Sequence, residues 1–199
     1  MIEHTPPMLP PTNLAIAYAP PKFRASFALL LQIDARFEDI LRNAREPMIA
    51  QIKMAWWREA FAKEAHLRPK GEPLLQALND DGEHIPSVAL ETLASAWEGL
   101  LGSDDWSHDI VDRHAADRAR AIFQTYATWV GCSQDVQKIG HVWAIDALRP
   151  AFQSRMPGNI CAPVASLPTA RILRPLSILA MSVRHVSGPR MIWHAMTGR

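Results

Sequence analysis

The residues best suited to chemistry lie between Asp34 and Phe61. Asp34, Glu38 and Asp39 follow one another at helical spacing, about one turn apart. Carboxylates so placed could share a cation, since Mg²⁺ prefers oxygen ligands and keeps several waters. The same three residues also suit an exposed face that pairs with Arg36, Arg42 or Lys53. Arg45, Lys53 and Arg58 offer cations that could meet a diphosphate, although basic side chains on helices are usually solvated and worth little as surface pairs. A second acidic group, Asp105, Asp109 and Asp112 with His108, is expected on one helix face. There it complements the helix dipole and needs no metal.

These residues need helices to position them. Leu29, Leu30, Ile33, Phe37, Ile40 and Leu41 recur at three- and four-residue steps, the pattern of an amphipathic helix over about 22–43. Pro47 sits in the first turn of the next helix, expected over about 46–65, beside Glu46 at its positive end. Met48, Ile52, Ala55 and Trp56 form one side of that helix, which Trp57, Ala60 and Phe61 widen. Further helices are expected at LLQALN and at SVALETLASAWEGLL, the latter with a core stripe of Val88, Leu93, Ala96, Trp97 and Leu100. The run from Asp104 to Gly131, capped by Ser103 or Asp104, leaves the surface for the core as it proceeds. The helix QDVQKIGHVWAIDALRPAF carries Gly140, which permits close packing, and TARILRPLSILAMSVRHV carries Pro175 as a kink or true start. The tail GPRMIWHAMTGR reads as helical until Gly198. With no alternating strand pattern and no internal repeat, the chain reads as all-α. Residues 1–12, with four prolines, are expected to form a poorly ordered arm, and 13–199 a single helical domain.

The segment REPMIAQIKMAWWREAF resembles the arginine-to-tryptophan stretch of the squalene/phytoene synthase family, in particular its divergent bacterial branch. That branch is similar to the mitochondrial complex I assembly factors with this domain. Ile85-Pro86 with Trp97-Glu98, the segment from Tyr126 to Gly131, GHVWAIDALR from Gly140 to Arg149 and the ending RMIWHAMTGR extend the likeness over some four-fifths of the chain. The resemblance implies a shortened helical bundle of the isoprenoid (terpenoid) synthase type. In active members paired aspartate motifs bind Mg²⁺ and two prenyl diphosphates, which are joined head to head. Carried onto this chain, it makes Asp34, Glu38 and Asp39 the metal site. Arg45, Lys53, Trp56, Arg58, Tyr126 and Asp146 become the substrate contacts.

The departures from the family pattern shape the expected function. The first aspartate motif is altered, and at the second site Ala144 and Ala147 stand where glutamine and asparagine are expected, leaving Asp146 alone. Coupling needs a metal to neutralise the charge developing on each leaving group. The expectation is therefore a catalytically degenerate protein, an isoprenoid- or lipid-binding or assembly factor. The alternative is an active Mg-dependent prenyltransferase that uses Asp34, Glu38 and Asp39 with Asp146 or the Asp105–Asp112 cluster. A third class, an interaction module with a filled interior, takes no ligand. Mg²⁺ is the cofactor only if the aspartate site functions. The partners expected are a prenyl diphosphate or other isoprenoid lipid, a protein partner and a peripheral membrane contact.

Composition bounds the rest. At 199 residues, nearly half of them hydrophobic, the chain can bury a substantial core. A net charge of +1 with mixed signs argues against a nucleic-acid surface. Cys132 and Cys161 lack metal-ligand spacing and read as buried thiols in a reducing compartment. No basic region followed by an apolar run opens the chain, and no stretch approaches the roughly 18–20 apolar residues of a membrane span. A cytoplasmic protein, peripheral to the inner membrane where it meets lipid, is expected. Trp56, Trp57, Trp97, Trp129 and Trp143 fit core packing or an apolar cavity lining. His108, His114, His141, His185 and His194 show no zinc-protease or triad spacing, and Gly-rich phosphate loops and CxxC motifs are absent.

Overall fold

Proline marks the helix starts. The computed structural model describes residues 10–44, 46–160 and 164–183, with Trp193 and Thr197. Within them Pro21, Pro47, Pro73 and Pro175 each occupy one of the first two positions of a helix, where the missing N–H has no intrahelical partner to lose. The helices are α1 (Pro10–Tyr18), α2 (Pro21–Arg42), α3 (Pro47–Ala62), α4 (Pro73–Asp81), α5 (Ser87–Glu98), α6 (His108–Ala119), α7 (Thr125–Trp129), α8 (Gln137–Phe152) and α9 (Arg174–Ser182). A π-helical turn, Arg120–Gln124, joins α6 to α7 without a break. No strand occurs among the described residues, so the fold is all-α.

Helix α2 runs through the centre. Its Phe27, Leu30, Ile33 and Phe37 are fully buried, each worth about 1.5–3 kcal/mol in transfer from water. It packs on α1, α3, α4 and α5, while α6 lies between α5 and α8, and α9 closes the far side against α1 and α8. Polar ties fix α2 to α4 at both ends. Ser26 Oγ donates to the Asp81 carbonyl at 2.7 Å, and Arg36 Nη2 meets Glu72 Oε2 at 3.2 Å. Glu72 is also the N-cap of α4, its side chain accepting from Leu74 N.

Two glycines have steric roles. Gly131 closes α7 at φ +63, with its N–H donating to the Thr128 carbonyl and Cys132 N to the Ala127 carbonyl, a Schellman end. Gly140 lets α8 approach α6, since a Cβ there would lie 2.9 Å from Ala119 Cβ and 2.8 Å from Phe123 Cγ.

Several expectations shift. Helix α1 begins at Pro10, inside the stretch expected to be an arm, while residues 1–9 lie outside the described residues. Helix α6 begins at His108 because Ser107 Oγ accepts from Ile110 N, so Asp105 precedes the helix and shares no helix face with Asp109 and Asp112. Pro175 is a true start, preceded by a 3₁₀ turn at Arg171–Leu173. The buried face of α3 is Ala50, Met54, Trp57, Ala60 and Phe61. Met48 (69% exposed), Ile52 (63%) and Trp56 (39%) turn outward instead. Val88 is likewise exposed, at the start of α5. Cys132 is half-buried against the core, whereas Cys161 and most of the tail after Val183 lie outside the described residues. Among the described residues no helix is long and apolar enough to cross a membrane.

Candidate functional site

The apolar stripe of α2 contains one acid. Asp34 falls between Ile33 and Phe37 and is buried with them. On α6 the stripe Val111, Ala115, Ala119 contains one permanent cation, Arg118, equally buried. The fold brings the two together across 84 residues of sequence. Arg118 Nη2 lies 2.6 Å from Asp34 Oδ2, and its Nε lies 2.9 Å from Oδ1 and 3.2 Å from Oδ2. Trp97 Nε1, from α5, donates to Oδ1 at 2.8 Å. The guanidinium is sandwiched between indoles, 4.8 Å from the Trp97 ring centroid and 4.3 Å from that of Trp143 on α8. Each stack adds cation–π attraction in a dry setting. Four helices thus meet at one charge pair.

His114, one turn before Arg118, stands edge-on to Trp97 at 4.8 Å. Its Nδ1 donates to the Ala96 carbonyl at 2.9 Å, which leaves Nε2 as a lone pair, buried and without a protein partner. Burial pushes its pKa down to about 3, the Arg118 cation acts in the same direction, and the bond to Ala96 opposes both. The imidazole is neutral at physiological pH.

Toward the surface, burial raises the pKa of Glu38 above the ordinary carboxylate range; Arg118 and Arg42 oppose the shift, and Asp34 and Asp39 reinforce it. Its nearest cation is Arg42 Nη1 at 3.6 Å. Asp39 Oδ1 accepts from Arg42 Nη2 at 2.8 Å and from Asn43 Nδ2 at 2.7 Å. The three carboxylates therefore do not converge. Asp34 points into the core and is matched by an internal cation, Asp39 by Arg42 on its own helix and by Asn43, the residue that caps it. Mg²⁺ needs near-octahedral oxygens with room for waters, and this arrangement does not fit it. Among the described residues no group of three or more His, Cys, Asp or Glu is placed to hold a metal.

The expected substrate contacts are dispersed. Arg45 lies outside the described residues. Lys53 borders a cavity of about 230 Å³ between α2 and α3 with Arg36, Asp39 and Asn43. Trp56 sits on the outer face of α3, edge-on to Trp57, and Arg58 Nη1 pairs with Glu98 at 2.8 Å. Tyr126 is buried, its hydroxyl donating to the Ile172 carbonyl at 3.1 Å, and burial pushes its pKa up. Asp146 pairs with Arg149 on α8 at 3.2 Å. Of the described ones, none shares with Asp34 either of the cavities at α2–α3 and α5–α7. Arg118, Trp97 and His114 are the residues that sequence reading missed as a unit. A signal existed, because Arg118 stands at an apolar period where a charge demands a buried partner.

No family model matches the chain, nor does any curated protein or solved structure.

Proposed function

We propose that this chain is a squalene/phytoene synthase-like helical protein that does not couple prenyl diphosphates and acts as an isoprenoid- or lipid-binding or assembly factor. One observation carries the reading. Asp34, the acid that the resemblance assigns to metal, is matched inside the core by Arg118 and Trp97. A catalytic aspartate must face an open, hydrated cleft to hold Mg²⁺ against a diphosphate. Here Trp97, Trp143, Arg118 and His114 pack together beside Asp34, which supports an assembly role or the interaction module over a ligand held at this centre.

The outer face of α3 supports the assembly or lipid role. Its inner residues pack in the core, yet Met48, Ile49, Ile52 and Trp56 present a second apolar face to solvent. Exposed apolar residues grouped on one face of a helix and rimmed by polar ones, here Gln51, Lys53 and Glu59, mark a surface for a protein or lipid partner.

The test is calorimetry of farnesyl and geranylgeranyl diphosphate with Mg²⁺, together with an assay for released pyrophosphate. No Mg²⁺-dependent binding and no release are expected. Asp34→Ala should instead show itself in stability, losing about 3–5 kcal/mol because Arg118 is left buried and unpaired. Robust pyrophosphate release that depends on Mg²⁺ would overturn the reading and restore the prenyltransferase.

A further inference from the structure

A second cavity of about 290 Å³ lies away from the Asp34–Arg118 centre, between the N-terminal half of α5 and the π turn with α7. Its depth comes from two small residues. Ala89 on α5 and Ala121 in the π turn are both buried and both line it. A π turn adds a residue to the helical run and so shifts the face that later side chains present, a feature frequent at functional sites. Val88 and the Trp129 indole form the walls.

Several polar groups around this cavity are already engaged, while the Gln124 amide and the Thr125 hydroxyl lie on its edge. Thr92 Oγ1 donates to the Val88 carbonyl at 2.7 Å, and Thr128 Oγ1 to the Gln124 carbonyl at 2.9 Å. Trp129 Nε1 donates to the His84 carbonyl. Arg120, the one Lys or Arg on the rim among the described residues, holds Asp117 at 2.8 Å. Charge complementarity therefore runs to a ligand without formal charge. The Ala89 and Ala121 floor offers a ligand apolar contact, and Gln124 and Thr125 at the edge can meet a hydroxyl.

We propose that this groove, floored by Ala89 and Ala121, binds a small neutral apolar molecule. At roughly 30 Å³ for each water-sized group, the volume holds about ten non-hydrogen atoms. A ten-carbon prenyl alcohol has that size. The groove shares no residue with the Asp34–Arg118 centre, and the proposal rests on the isoprenoid- or lipid-binding reading above by naming a site for it. Absence of geraniol binding would overturn this site and leave the loss of prenyl coupling and the assembly role standing.

Geraniol is the probe, titrated into ¹⁵N- and methyl-labelled full-length protein. Saturable shifts are expected at the Ala89 and Ala121 methyls and the Trp129 indole N–H, with geranyl diphosphate binding no more tightly. Ala121→Leu fills the floor and should weaken geraniol at least tenfold. Val88→Glu is the second variant. Val88 is exposed at the second position of α5, where a carboxylate suits the helix start, so the fold should hold while affinity falls several-fold. Absence of saturable shifts at these three sites would overturn the proposal. So would geraniol affinity unchanged in both variants, or tighter binding of the diphosphate than of the alcohol. A dilution-dependent change in sedimentation abolished by Val88→Glu, without geraniol binding, would make the groove a contact between copies and overturn it too.

Discussion

At the scale of single residues, the buried charges decide how this protein responds to pH. His114 is held near 3 by burial and by Arg118. The unfolded chain takes up that proton near pH 6.5, while the folded one does so only near 3. Between those values the unfolded state binds more protons. The stability linked to His114 is full above about pH 6.5 and is lost as pH falls, at about 1.4 kcal/mol per unit. Glu38 works in the opposite sense. Its raised folded value makes the folded state the better proton acceptor, so acidification through its range adds stability. In His114→Asn the amide can keep the bond to the Ala96 carbonyl without titrating. Urea unfolding should then show the loss of stability between pH 7 and pH 5 shrinking by about 2 kcal/mol. Equal losses in both proteins would assign the slope to another group.

At the scale of elements, packing between helices outranks helix propensity. Alanine in place of an interior helical glycine ordinarily gains about 1 kcal/mol. At Gly140 the new methyl would press on Ala119 Cβ and the Phe123 ring, both on the run that α8 packs against. Overpacking of that kind costs about 1–3 kcal/mol, so Gly140→Ala should be net destabilising. A thermal midpoint that rises instead would mean that α6 and α8 can separate freely. The same priority explains α3. Periodicity proposed a face of Met48, Ile52 and Trp56, but its neighbours take the opposite side, Ala50, Met54, Trp57 and Phe61. Both faces are apolar, so propensity and pattern alone could not choose between them.

At the scale of the whole molecule, one continuous core reaches from Ala15 in α1 to Ala180 in α9. A single core predicts a single cooperative transition. Urea curves followed by far-ultraviolet circular dichroism and by tryptophan fluorescence should coincide, because Trp57, Trp97 and Trp143 sit in that same core. Two separated midpoints would instead divide the chain into independently stable parts.

The sequence by itself determined the all-α class and the place of most helices. Those signals are local: the proline at position 47 in a first turn, the glycine at 131 as a break, and apolar residues recurring at helical steps. It also marked Asp34 as chemically notable, and Gly140 as a point of close approach. Only the tertiary structure decided what Asp34 does. Its partners Trp97 and Arg118 stand 63 and 84 residues away, and no periodicity within one helix encodes which distant charge will meet it. A carboxylate in an apolar stripe reads alike whether it awaits a metal or an arginine. The choice is made by which helix packs opposite, since a buried charge persists only where a counter-charge is brought within hydrogen-bond reach.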